Sequence, residues 1–133
     1  DVVESTEPTL RILIADDQDV IRELIFAALE GDSRFQLIGA RNGQEAVDAA
    51  REVCPDMAIL DIKMPLLDGL SACATLRAAE ATSHIPILML TAYNQTEDLE
   101  RARTAGATDY FVKPFVPSDL LSKVYDLLDA RSA

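Results

Sequence analysis

Short unbroken apolar runs alternate along this chain with longer stretches in which apolar residues return every three or four positions. The runs are Arg11 to Ala15, Phe35 to Gly39, Met57 to Leu60, Ile87 to Leu90 and Asp109 to Val112. A run such as Met57 to Leu60, without alternation, predicts a strand buried on both faces of a parallel sheet, Ile87 to Leu90 a further buried strand, and the other runs read as strands. Between them, Val20, Ile21, Leu24, Ile25, Ala28 and Leu29 trace a first amphipathic helix, and Ala46, Val47 and Ala50 a second. Leu70, Cys73 and Leu76 mark a third, Leu99, Ala102 and Ala105 a fourth, and Leu120, Leu121, Val124, Leu127 and Leu128 the most clearly amphipathic fifth.

The boundaries carry their own signals. Asp17 or Asp19 can cap the first helix and Gly31 suits a left-handed stop. Asn42 with Glu45, and Asn94 with Glu97, resemble a cap and its third residue. Cys54-Pro55 ends the second helix, Lys63 to Asp68 is a loop, Gly69-Leu70 opens the third helix, Ile85-Pro86 closes its exit and Gly106 stops the fourth. The fourth helix, Gln95 to Ala105, has a small inward face and an outer face crowded with Glu97, Asp98, Glu100, Arg101 and Arg103, so it is expected to pack loosely. Residues 1–9 read as a disordered lead-in, 10–129 as one domain and 130–133 as a frayed tail.

Five rounds of strand and helix call for an α/β, doubly wound parallel sheet with right-handed crossovers and helices on both faces. The order 2-1-3-4-5 is a common solution for five strands, and it makes the first and third strands neighbours at about 4.8 Å. Asp16, Asp17 and Asp61 would then share one crevice at the C-terminal edge of the sheet, where ligands of such sheets bind.

Composition narrows the functions available. Acidic residues number 23 against 12 basic, a formal charge of -11. That charge disfavours direct binding to nucleic acid and favours divalent cations or basic partners. No stretch reaches transmembrane length, so no membrane role is expected. Cys54 and Cys73, in neither a metal-like nor a Cys-x-x-Cys spacing, are expected to be buried structural thiols. With no secretory leader in the sequence, they point to the cytoplasm.

Carboxylates converging in a half-buried crevice repel one another and call for a positive charge. Magnesium fits, since it prefers oxygen ligands and takes one or two carboxylates plus a phosphate. Lys113, ending the fifth strand, offers a second cation. Asp61 then becomes a carboxylate nucleophile for a phosphoryl group, with the Thr91 hydroxyl a donor to phosphoryl oxygens. Each residue alone has a plainer reading: Asp16-Asp17 as a capping pair, Thr91 as a backbone cap, Lys113 as a solvated surface lysine. Their combination at four of the five strand ends is far more specific. His84, the only histidine, lies in the loop before the fourth strand at the opposite end. Arg77, Arg101 and Arg103 read as solvated helix surface.

Ile14-Ala15-Asp16-Asp17, Leu60-Asp61-Ile62-Lys63-Met64-Pro65 with Asp68-Gly69, Leu90-Thr91-Ala92, and Tyr110-Phe111-Val112-Lys113-Pro114-Phe115 together resemble a response-regulator receiver domain, over about Leu10 to Asp129. The resemblance implies a flavodoxin-like (βα)5 fold and a switch in a two-component or phosphorelay system. Asp61 would accept a phosphoryl group from a histidine kinase or histidine phosphotransfer protein. Asp16, Asp17 and Asp61 would hold Mg2+ (or Mn2+) with the backbone carbonyl of Lys63, and Thr91 and Lys113 would bind phosphoryl oxygens. It also implies a cis Lys113-Pro114 bond, a Thr91 that shifts, and a Tyr110 that turns inward.

The loosely held fourth helix, the fifth strand and the last helix would form the output face. That face would meet a downstream partner or an output domain, in a monomer or a phosphorylation-linked dimer. No enzymatic role is expected beyond the domain's own phosphorylation and autodephosphorylation. Lys63 and Tyr93, two residues past Asp61 and Thr91, are poor bases for a hydrolytic water, so slow autodephosphorylation is expected. Among rival readings, a dinucleotide or flavin site fails because Asp16-Asp17-Gln18-Asp19 would repel a pyrophosphate. A haloacid-dehalogenase-like phosphatase would want a second acid where Lys63 stands. A phosphorylation-independent receiver look-alike normally lacks one of the functional residues, and here all are present.

Overall fold

The computed structural model describes residues 9–92 and 96–131. Its elements are β1 (Leu10–Ala15), α1 (Asp19–Leu29), β2 (Phe35–Ala40), α2 (Gly43–Val53), β3 (Met57–Asp61), α3 (Gly69–Ala78), β4 (Ile87–Ala92), α4 (Thr96–Ala105), β5 (Asp109–Lys113) and α5 (Pro117–Arg131). A single 3-10 turn, Glu80–Thr82, lies between α3 and β4. All five strands are parallel, in the order β2-β1-β3-β4-β5.

Alternation along the strands divides the interior into two layers. Leu13, Ala15, Ala58, Leu60, Ile87 and Met89 face α2, α3 and the methyl group of Ala102 on α4. Ile12, Ile14, Met57, Ile59, Leu88 and Leu90 face α1 and α5, where Ile25, Leu29, Leu120 and Val124 close the layer. β3 is buried along its whole length, as its unbroken apolar run requires, whereas every second residue of the edge strand β5 reaches solvent.

Caps account for several helix ends. Asn42 accepts from the Glu45 N–H at 2.8 Å to open α2, and Asp68 accepts from the Ser71 N–H at 2.7 Å to open α3. Cys54, in the left-handed conformation at φ 49°, closes α2, and Gly106 at φ 105° follows α4.

Several expectations are corrected. Neither Asp17 nor Asp19 caps α1: Gln18 holds the N-cap position without a side-chain bond. Gly31 is not left-handed, since α1 ends through an ordinary helical Glu30. Cys54 is exposed because the left-handed cap carries its side chain off the helix, while Cys73 is buried as expected. Arg77 is no solvated arginine. Its guanidinium donates to the carbonyls of Gly106 at 2.8 Å and Ile85 at 2.6 Å and to the Thr108 hydroxyl at 3.1 Å, joining the α3–β4 connection to the α4–β5 turn. Asp98 is buried, against the expectation of an outer face. Helix α5 continues to Arg131, so only the last two residues of the expected tail lie outside the described residues. Tyr93, Asn94 and Gln95 also lie outside them.

Candidate functional site

Register assembles the site. In the β1–β3 pairing Ala15 stands opposite Leu60, so the next residues along, Asp16 and Asp61, emerge side by side at the C-terminal edge. Asp61 is itself paired with Leu90, and Ala92 with Lys113, which brings the ends of β4 and β5 to the same edge. Asp16, Asp17 and Asp61 each offer a carboxylate oxygen within 4.8 Å of the others. Asp16 is fully buried and Asp61 is 8% exposed, whereas Asp17 reaches solvent.

Lys113 answers the charge. Its Nζ lies 2.8 Å from Asp16 Oδ2 and 3.3 Å from Asp61 Oδ2. The Lys113-Pro114 bond is cis, as the resemblance implied. Burial disfavours the Lys113 ammonium, but its bonds and charge interactions with Asp16 and Asp61 outweigh this and hold its pKa above the ordinary value. Asp61 moves to about 6, raised chiefly by burial and then by the charges of Asp16 and Asp17, against the opposing pull of Lys113. Three carboxylates against one ammonium leave room for a further cation. In an octahedral magnesium site adjacent oxygens stand about 3 Å apart and opposite ones about 4.2 Å, so these oxygens, within 4.8 Å of one another, would draw together to share one ion. The donor set, all oxygen with no nitrogen or sulfur, suits magnesium or manganese.

Other expected residues take varied places. Thr91 is buried, and among the described residues its hydroxyl makes a long 3.5 Å bond to the Ala92 carbonyl, a weak engagement that a closer partner can replace. Lys63 is exposed beside the cluster, in a crevice of about 360 Å³ lined also by Asp17, Asp61, Asp98 and Lys113. Tyr110 points outward on β5, 39% exposed. His84 is exposed in the loop before β4, away from the carboxylates.

Sequence reasoning missed the groups that hold the cluster in place. Arg22 on α1 donates to the Asp16 backbone carbonyl at 2.8 Å while pairing with Asp19 at 2.6 Å. A Cβ at Gly69 would collide with the Asp61 carbonyl, and one at Gly43 with the carbonyl of Leu67, to which the Gly43 N–H donates at 2.8 Å. A poor helix former in the first position of both α2 and α3 was the available signal.

Comparison with known proteins decides the family. A family profile described as the response regulator receiver domain matches residues 12–125. The chain belongs to the response-regulator receiver family. It is 41% identical over 115 residues to the transcriptional regulatory protein PdtaR of Mycobacterium tuberculosis, covering 86% of this chain and 54% of that protein. The receiver chain thus spans about half the length of the curated relatives it matches. Among solved structures, a putative response regulator from Chloroflexus aurantiacus superposes with a TM-score of 0.86 at 34% identity, covering 92% of this chain and 99% of that one. The receiver domain of the sensor histidine kinase PA1611 from Pseudomonas aeruginosa matches with a TM-score of 0.83 at 30% identity, covering 91% and 98%. In that protein a magnesium ion is coordinated in the active site cleft.

Proposed function

We propose that this receiver domain is a phosphorylation-controlled switch in which Asp61 accepts a phosphoryl group from the phosphohistidine of a kinase or phosphotransfer protein. The observation that carries the reading is Lys113 seated between two buried carboxylates, with Asp17 at their side and open to solvent. An Asp61 oxygen attacks phosphorus, the O–P bond forms, and the N–P bond breaks with its electron pair passing to the imidazole nitrogen. Asp16, Asp17, Asp61 and the Lys63 backbone carbonyl would hold the magnesium. Bound magnesium supplies positive charge to the phosphoryl oxygens and leaves fewer uncompensated negatives for the incoming group to meet. Lys113 neutralises the equatorial oxygens from the other side, and Thr91 turns its weakly engaged hydroxyl toward them.

The output follows from Thr91. Its inward turn vacates space that Tyr110 takes from its outward position, changing the face formed by α4, β5 and α5. A downstream partner or a further domain reads that face in the cytoplasm, by protein contact in keeping with the acidic charge rather than through nucleic acid. No described helix is long and apolar enough to cross a membrane. Catalysis is confined to the domain's own phosphorylation and autodephosphorylation. Incubation with phosphoramidate tests the reading: one phosphoryl group gained per chain, dependent on magnesium and lost in Asp61→Asn, is the expected result. A gain unaffected by chelator or by Asp61→Asn refutes it.

A further inference from the structure

Asp98 has no part in the chemistry above, yet it is built into the same crevice. α4 turns two described side chains fully inward, Ala102 at 2% exposed and Asp98 at 4%, one turn apart on a single face. Beside them Ala105 packs only partly buried against the core, so α4 is seated on two small methyl groups and a carboxylate, which is costly because a buried charge needs a close partner. Among the described residues the ion pair of Asp98 is a long one, 3.6 Å to Arg101, whose side chain is 65% exposed. Asp98 instead walls the crevice shared by Asp61, Asp17 and Lys113, and the adjoining cleft with Lys63 and Arg101. Its place as the third residue of α4, where backbone N–H groups favour an anion, holds the carboxylate there.

We propose that Asp98 is the charge sensor that couples the state of Asp61 to the position of α4. The inference rests on Asp61 being the phosphoacceptor. Phosphorylation replaces one negative charge at Asp61 with about two, in a crevice already holding the carboxylates of Asp16 and Asp17. Water screens charges poorly in such a crevice, so the added charge acts across it on Asp98. The route of relief is short: Asp98 swings out with Arg101 toward solvent. Its departure leaves the fully buried Ala102 and the partly buried Ala105 as the described apolar anchors of α4, and two methyl groups hold a helix weakly. The charge at Asp61 thereby becomes a loosening of α4, independently of the movement of Thr91 and Tyr110.

Hydrogen exchange of the full chain tests the coupling, with phosphoramidate and magnesium as the phosphorylating probe and intact mass reporting occupancy. The parent, Asp98→Glu and two neutral variants of different size, Asp98→Asn and Asp98→Ser, are compared at equal phosphoryl occupancy. In the parent and Asp98→Glu, amides of residues 97–105 are expected to exchange about tenfold faster on phosphorylation, equivalent to about 1.4 kcal/mol of local opening. In the neutral variants the change is expected to stay below about twofold. An equal rise in the neutral variants, or no rise in a fully phosphorylated parent, overturns the sensor while leaving the phosphoacceptor reading intact. A parent that takes up no phosphoryl group overturns both.

Discussion

Removing the charge of Asp61 is expected to make the metal-free domain more stable, the opposite of what loss of a buried, ion-paired residue usually does. The Asp61 carboxyl moves from an ordinary 3.8 to about 6 on folding, first through burial and then through its acidic neighbours. At about 1.4 kcal/mol per pH unit, the ionised group works against the fold by roughly 3 kcal/mol. Between pH 3.8 and about 6 the folded chain keeps a proton that the unfolded chain has lost, so stability falls as pH rises through that window. Above it the full cost is present. Asparagine keeps the shape without the charge, and Lys113 keeps its 2.8 Å partner Asp16. Asp61→Asn is therefore expected to add about 2–3 kcal/mol at pH 7.5 in the presence of chelator and little at pH 4, read as a urea midpoint higher by about 1–2 M at the upper pH. Magnesium should reverse the ranking by stabilising the parent alone. A variant no more stable than the parent at pH 7.5, or a difference that does not change with pH, would refute the electrostatic account of the crevice.

Three further outcomes follow from the same geometry. Lys113→Ala leaves Asp16 and Asp61 without their shared cation, so it should cost about 3 kcal/mol in urea melts and slow phosphorylation by phosphoramidate about a hundredfold. Gly69→Ala should destabilise by more than about 2 kcal/mol, because the new methyl group displaces the Asp61 carbonyl, and equal melts for variant and parent would contradict this. Replacing Lys63 by Asn together with Tyr93 by Glu should shorten the phosphoryl half-life at least about tenfold by admitting an activated water, and a parent that already decays as fast disproves the slow-hydrolysis expectation.

The centre of the sheet was legible because β3 and β4 are apolar without alternation, a pattern that burial on both faces explains, whereas the edge strands β2 and β5 are partly exposed. Five rounds of strand and helix left the order to a common solution, 2-1-3-4-5, which the sheet adopts, and with it Asp16, Asp17 and Asp61 meet, since their carboxylates end strands that the order makes neighbours. What could not be read were properties that depend on a second element. Arg77 looks like surface until the carbonyls of Gly106 and Ile85 arrive around it from distant segments. Asp98 sits among charged neighbours, and its sequence position gives no hint that its face of α4 meets the acidic crevice rather than water. Gly43 and Gly69 announce only that a side chain is missing, and the carbonyls that exclude one belong to other parts of the chain. The choice of Gln18 over Asp17 and Asp19 at the start of α1 is partly local, since Asp16 accepts the Gln18 N–H at 2.9 Å and Asp19 pairs with Arg22 three residues on, and partly tertiary, since Asp17 belongs to the cluster.

The central claim is that Asp61 is the residue that becomes phosphorylated, and reductive trapping tests it most directly. The chain is incubated with phosphoramidate and magnesium, treated with borohydride to reduce any acyl phosphate to the alcohol, digested and mapped by mass spectrometry. The account predicts the reduced side chain at position 61 alone, absent when magnesium is chelated. Reduction at Asp16, Asp17 or any other carboxylate, with Asp61 recovered intact, would contradict it.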